Sequence, residues 1–182
     1  YRLFWLLGFI NSSKLTGGIR KRYYWTNLIS SLEVSDKGIH FQDILENGYT
    51  PKNKAVCLLE GHSRPTVTPY RMMRRHVKSF LYYIFKSKNH YEECIDFYNK
   101  FMKNKDAEYC DKFALDNDVS VFEGIRNLTT TEMEKLQTVP KGYCSAILNT
   151  NESASLLGDG WTVDVIVEFL KPLLKPRARA RA

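Results

Sequence analysis

The sequence predicts an α+β fold in which a small, irregular middle domain is flanked by a strand before it and a helix after it. Three observations carry this. An apolar run at Leu3–Ile10 reads as a buried strand, and apolar residues over Tyr91–Met102 recur at the three- and four-residue spacing of one helix face. Val163, Ile166, Val167 and Leu170 repeat that spacing near the end. With 182 residues, 43% of them hydrophobic and 13% aromatic, a disordered or collagen-like chain is excluded and a sizeable core is affordable.

After the first strand, Asn11-Ser12-Ser13 and Gly17-Gly18 mark a loop. A basic loop, Arg20-Lys21-Arg22, runs into the aromatic stretch Tyr23-Tyr24-Trp25. From Leu28 to about Gly124 the elements are short: a helix at Phe41–Asn47, a strand at Ala55–Leu59, and a loop with Pro65 and Pro69. Arg71, Arg74, Arg75, His76 and Lys78 then interleave with Met72, Met73 and Val77 ahead of the apolar run Phe80–Phe85. Basic side chains beside apolar anchors suit phosphate contact. A solvated charged face accounts for them equally well.

In the next helix the stripe Tyr91, Cys94, Ile95, Tyr98, Phe101 and Met102 belongs to a core. Asp116–Asp118 breaks the pattern and Val119–Ile125 resumes it. Thr129, three residues before Glu132, has capping-box spacing and starts a helix through Met133 and Leu136 that stops near Pro140. The last helix ends by Pro172, and its apolar face needs a surface to cover it. The divisions expected are 1–27, 28–148, 149–175, and a basic tail at 176–182 with Arg177, Arg179 and Arg181.

A net charge of +7 favours a polyanionic partner, although solubility alone explains a surplus of that size. Cys57, Cys94, Cys110 and Cys144 form no Cys-x-x-Cys pair, which suits reduced thiols in the cytoplasm. The opening apolar run is too short to span a bilayer, so no membrane partner is expected. Cys57 precedes His62 by five residues but lies in an apolar strand, where a structural thiol is the better account than a nucleophile. His40, His62, His76 and His90 lack metal-ligand spacing, so no metal is expected. Glu92-Glu93 and the Glu132/Glu134 pair fall at surface positions of helices by pattern. Gly158-x-Gly160 alone is no nucleotide fingerprint.

Three separated segments carry more. They are Gly18-Ile19-Arg20-Lys21-Arg22 running into Tyr23-Tyr24-Trp25-Thr26-Asn27; Arg126-x-Leu128-Thr129-x-x-Glu132-x-x-x-Leu136-Gln137-x-x-Pro140-x-x-Tyr143; and Leu157-Gly158-Asp159-Gly160-Trp161-Thr162 running into Val163–Ile166. In this order they resemble the basic, recognition-domain and closing motifs of the DNA cytosine-5 methyltransferases, especially the bacterial and phage members. Gly18 replaces the family's usual glutamine, and Asp159 stands where asparagine is usual.

The resemblance implies that 28–148 is a target recognition domain. The strand before it and the helix after it would belong to an incomplete α/β, Rossmann-like methyltransferase domain. Arg22 would contact the flipped cytosine or its phosphate, with Arg20 supporting it. Arg126, Thr129, Glu132 and Gln137 would organise the recognition domain. Arg64, Arg71, Arg74, Arg75 and Lys78 would meet double-stranded DNA, and Asp159, Gly160, Trp161 and Thr162 would border S-adenosylmethionine.

The family's nucleophile motif Pro-Cys, its Glu-Asn-Val and its Phe-x-Gly-x-Gly are not among these residues: no proline precedes a cysteine, and Glu46-Asn47 is followed by Gly48. Alone, the chain is expected to be inactive. It would act in a bacterial or phage-infected cell beside a second polypeptide, or an N-terminal domain, carrying Pro-Cys. The alternative is a non-catalytic DNA-binding or regulatory module derived from such an enzyme.

Overall fold

The structure, a computed structural model, describes residues 6–26, 33–56, 58 and 68–174. It is a mixed α and β fold with a small two-stranded sheet. Strand β1 (Leu6–Asn11) pairs antiparallel with β2 (Lys21–Thr26), in register from Leu6 opposite Thr26 to Asn11 opposite Lys21. Alternation along a strand sends neighbours to opposite faces. Ile10 and Tyr24 accordingly turn toward a helix, whereas Phe9, Tyr23 and Trp25 stand exposed.

The helices follow as α1 (Phe41–Ile44), α2 (Pro69–Lys78), α3 (Lys88–Phe101), α4 (Ala107–Asp116), α5 (Thr130–Leu136), α6 (Thr150–Asp159) and α7 (Val163–Leu170). Single 3₁₀ turns sit at Ser12–Lys14, Ser120–Phe122 and Lys171–Leu174. Among the described residues no helix is long and apolar enough to cross a membrane.

Three apolar clusters organise these elements. In the first, Ile10 and Leu15 pack with Val165 and Phe169, the Tyr24 ring 5.0 Å from that of Phe169. The central one joins Phe41, Ala55, Tyr82, Ile84, Leu128, Met133 and Leu136 to Ala154 and Leu157 of α6. In the third, Met72 and Met73 of α2 meet Cys94 and Tyr98 of α3, Cys110 of α4, and Phe122.

Several expectations need correction. Arg20-Lys21-Arg22 is not all loop, because Lys21 and Arg22 open β2, whose ladder carries the aromatic stretch as well. The helix at Phe41 closes after one turn at Ile44. Ala55 makes only a parallel bridge to Gly18, and Cys57 and Leu59 lie outside the described residues. On α7 the buried stripe is Val165 and Phe169, four residues apart, while Val163, Val167 and Leu170 face outward. The pattern was rich enough in apolar residues to offer two stripes, and the sheet covers the one with the aromatic ring.

Candidate functional site

The loop between β1 and β2 is fastened before it delivers its basic residues. Ser12 donates its hydroxyl to the Gly18 carbonyl (3.0 Å), and the Asn11 side chain accepts the Arg20 amide (3.3 Å). Ala55 bridges to both sides of Gly18, its amide donating to the Gly17 carbonyl (2.8 Å) and its carbonyl accepting from Ile19 (2.7 Å). The two glycines permit close approach. A Cβ on Gly17 would lie 2.7 Å from the His40 carbonyl oxygen, and one on Gly18 would lie 2.7 Å from Leu136 Cδ1. Leu136 thus occupies the space where the resemblance expects a glutamine side chain to begin.

From this loop three segments far apart in sequence meet along one seam. The Arg20 guanidinium, 8% exposed as a residue, donates from Nη2 to the Gly158 carbonyl at 2.6 Å. Thr16 donates to the Leu136 carbonyl (3.0 Å). Gln137 donates to the Leu157 carbonyl (2.8 Å) and accepts the Thr162 hydroxyl (2.9 Å), and its own carbonyl accepts the Val163 amide (3.0 Å). Gln137 therefore ties the end of α5 to the end of α6 and the start of α7.

Two clefts open beside the seam. One, of about 610 Å³, is lined by Arg20, Lys21, Arg22, Leu58, Gly158 and Asp159, among others. The other, of about 600 Å³, is lined by Lys21, Arg22, Tyr23, Tyr24, Trp25 and Trp161. Lys21 and Arg22 border both. Of the four residues expected at a cofactor, Asp159 and Trp161 reach open clefts, though different ones. Thr162 is buried with its hydroxyl engaged by Gln137, and Gly160 caps α6 through its amide.

Arg126 and Glu132 form the scaffold of the middle segment. Arg126 grips both oxygens of the Glu132 carboxylate at 2.8 Å and also donates to the carbonyl (2.6 Å) and side-chain oxygen (2.9 Å) of Asn47. Glu132 is fully buried and accepts two further amides, from Thr129 and Glu46 (2.9 Å each). Burial opposes its charged form, but Arg126 and those amides outweigh it and hold the carboxyl below its ordinary range. Thr129 completes the capping box and donates its hydroxyl to Glu46 (2.9 Å).

Glu134 was expected at the surface and is instead fully buried, as is Glu132. Its carboxylate collects the amides of Gly142, Cys144 and Ser145, which outweigh burial and lower its pKa. No simple periodicity announces this: α5 has only seven residues and is enclosed on several sides, so its carboxylates face backbone rather than water. Lys54 is another anchor the sequence conceals, donating to the carbonyls of Ser13 (2.6 Å), Thr16 (3.1 Å) and Ile39.

The basic run forms α2. Arg71, Arg74, Arg75 and Lys78 fall at helical spacings of three and four and share one side, with Met72, Met73 and His76 buried on the other. Some of that charge is already engaged. Arg71 is paired with Asp111 (2.8 Å) and donates to Tyr70 (3.0 Å), and Lys78 donates to the Lys105 carbonyl (2.6 Å). Arg75 is exposed and engaged with the Tyr83 hydroxyl, and Arg74 is half-buried. Arg64 lies outside the described residues, as do His62 and the arginines of the tail.

Cys94, Cys110 and Cys144 are buried free thiols. Burial pushes the Cys94 thiol up to about 12, well away from nucleophilic chemistry at neutral pH. Among the described residues no group of three or more His, Cys, Asp and Glu side chains converges as a metal site would require. Compared with protein-family models and with curated proteins, the chain matches none.

Proposed function

We propose that this chain supplies DNA recognition, and one wall of the cofactor site, to a DNA (cytosine-5-)-methyltransferase acting on cytosine in duplex DNA. The observation that supports it is the seam. The three segments that resemble the family's motifs are held together by Arg20 to Gly158 and by Gln137 to Leu157 and Thr162, with Thr16, just ahead of the first segment, bonded to Leu136.

In this reading β1, β2 and α7 belong to an α/β, Rossmann-like catalytic domain, and residues 28–148 form the target recognition domain. The exposed side of α2 meets phosphates through Arg74 and Arg75, and Arg22 holds the extruded cytosine or its phosphate from the rim of the clefts. S-adenosylmethionine supplies the methyl group. Trp161 offers it an apolar wall, and Asp159 a carboxylate in the adjoining cleft. The thiolate and the carboxylate that activate cytosine come from the second polypeptide or N-terminal domain carrying Pro-Cys.

The test begins with duplex binding by the full chain. Affinity should fall steeply between about 50 and 200 mM salt, as phosphate contacts require. A binding constant indifferent to salt would remove α2 from the interface. Material purified by affinity from native cells should then transfer methyl groups from S-adenosylmethionine to duplex cytosine. Arg22→Ala should abolish the transfer while thermal unfolding stays unchanged; intact methylation by that variant would end the role given to Arg22.

The engagement of Thr162 by Gln137 favours a second reading, a non-catalytic DNA-binding or regulatory module. There the closing segment is scaffold alone. A chain recovered without a catalytic partner, binding duplex DNA but not S-adenosylmethionine, would select it.

A further inference from the structure

In the apolar run Phe80–Phe85 every residue but the first is drawn inward. Tyr82, Tyr83, Ile84 and Phe85 are buried and Leu81 is half-buried, whereas Phe80 is 85% exposed. Its backbone is nonetheless fixed. The Ser79 amide and hydroxyl donate to the Arg75 carbonyl (2.9 and 2.6 Å), and the Ser79 hydroxyl oxygen accepts the Leu81 amide (3.2 Å). Lys52 Nζ donates to the carbonyls of Phe80 and Leu81 (3.1 and 2.9 Å). An open ring thus stands on a braced loop directly after α2.

The charge along this stretch has one sign. Between Gly61 and Tyr91 there are seven Lys and Arg residues and no Asp or Glu, so these residues carry the whole net charge of +7. Asp111 of α4 answers Arg71. Arg75 and Lys78 are engaged with neutral oxygens, the Tyr83 hydroxyl and the Lys105 carbonyl, which leaves their positive charge in place. Leu115 is as exposed as Phe80, but Asp116 and Asp118 follow it and would repel a polyanion.

Resting on the reading that the exposed side of α2 meets the duplex, we propose that Phe80 is a wedge: its ring enters the base stack of double-stranded DNA at one step and kinks the helix there. Ser79 is extended, so the backbones of Lys78 and Phe80 lie within about 7 Å, and Lys78 can hold a phosphate beside the step that the ring opens. A phenyl ring offers no donor or acceptor to a base edge. What it rewards is a step that unstacks easily, such as TA or CA. A lipid surface is the poorer match: Met72 and Met73, on the apolar side of α2, face the interior, and Phe80 with Val77 gives a bilayer little apolar area to hold.

The test uses the full chain and a duplex of about 20 base pairs with a central TA step and a fluorophore at each end, at about 50 mM salt. Anisotropy reads affinity, and energy transfer between the ends reads bending. The parent should bind and bring the ends closer. Phe80→Ala should weaken binding about tenfold, the scale of one phenyl ring withdrawn from contact, and leave the ends as far apart as in free duplex. Phe80→Leu, which keeps an apolar wedge, should still bend it. The salt dependence of Phe80→Ala should match the parent's because no phosphate contact is lost, and its melting temperature should match because the ring is exposed.

Binding and bending by Phe80→Ala equal to the parent's would overturn the wedge and leave the reading of α2 intact. So would a parent complex as straight as free duplex. A parent that binds no duplex would end both. Binding of the parent to phosphatidylserine–phosphatidylcholine vesicles in place of duplex, lost in Phe80→Ala, would give the ring to a lipid surface and likewise overturn the wedge.

Discussion

At the scale of single residues, the Arg126–Glu132 pair shows how a buried charge is made tolerable. Glu132 has no exposed surface, and its two oxygens are satisfied by the guanidinium and by two backbone amides. Arg126→Ala would leave a buried carboxylate with only the amides, which predicts a loss of about 3 kcal/mol in urea unfolding. Glu132→Gln alone should also destabilise, because its NH2 would face one of the two backbone amides that the carboxylate accepts, and the double variant should lose less than the sum of the two single losses; strict additivity would mean that Arg126 acts through Asn47 instead.

His76 makes a different prediction. Its ring lies between Phe85 and Tyr91, and burial, assisted by the Lys52 charge, lowers its pKa from 6.5 to about 4. Between those values the unfolded chain binds a proton that the folded chain refuses, so the unfolded state gains as pH falls. The contribution is fully present above pH 6.5, is lost progressively toward pH 4, and amounts to about 3 kcal/mol. His76→Leu should remove that slope when unfolding free energies are compared across the window. A slope unchanged in the variant would assign the acid sensitivity to other groups, of which Glu132 and Glu134 act mainly at lower pH because their carboxyls are held below the ordinary range.

At the scale of elements, helix ends explain both what could be read from the sequence and what could not. The start of α5 was legible because Thr129 and Glu132 stand at capping-box spacing, and the box is formed. The start of α6 carries the same kind of signal: Asn149 accepts the amides of Asn151 and Glu152 while Glu152 accepts the Asn149 amide. No clear apolar stripe follows that cap, since α6 buries only Ser153, Ala154 and Leu157, so the helix is not announced by periodicity. Asn149→Ala should therefore cost about 1 kcal/mol in thermal unfolding, and Asn149→Gly only a few tenths. An alanine variant as stable as the parent would show that packing of Ala154 and Leu157, not the cap, holds α6.

The stripe of α3 was also legible, with Cys94, Tyr98 and Met102 buried. By contrast, α4 mixes Glu108, Asp111 and Lys112 with Tyr109 and Phe113, so no clean apolar stripe marks the side on which Phe113 meets Phe97 and Phe101 of α3. At the candidate site the residue types could be read, but not their partners. Arg20, Arg22 and Trp161 were singled out from sequence; that Arg20 is directed at the Gly158 carbonyl, and that Thr162 is engaged by Gln137, depends on hydrogen bonds across more than twenty residues.

At the scale of the whole molecule, the seam joins two apolar clusters that share no buried residue: the sheet with α7, and the central cluster with α5 and α6. What aligns them is polar and centred on Gln137, which is buried and uses both ends of its amide. Gln137→Leu keeps similar bulk but strands the Leu157 carbonyl and the Thr162 hydroxyl, a loss of about 2–4 kcal/mol for two buried groups left without partners. Because those partners lie at the junction of α6 and α7, the loss should be local. Amides of α7 should exchange with solvent faster in the variant, while those of α3, in the separate cluster with Cys94 and Tyr98, keep the parent's protection. The relation between Arg22 on β2 and Trp161 at the foot of α7 would loosen with it, so any binding that needs both should weaken more than binding through α2. Uniform loss of protection in all helices would mean that the chain opens as one cooperative unit, and that the seam is merely one part of a continuous interior rather than the joint that sets the clefts.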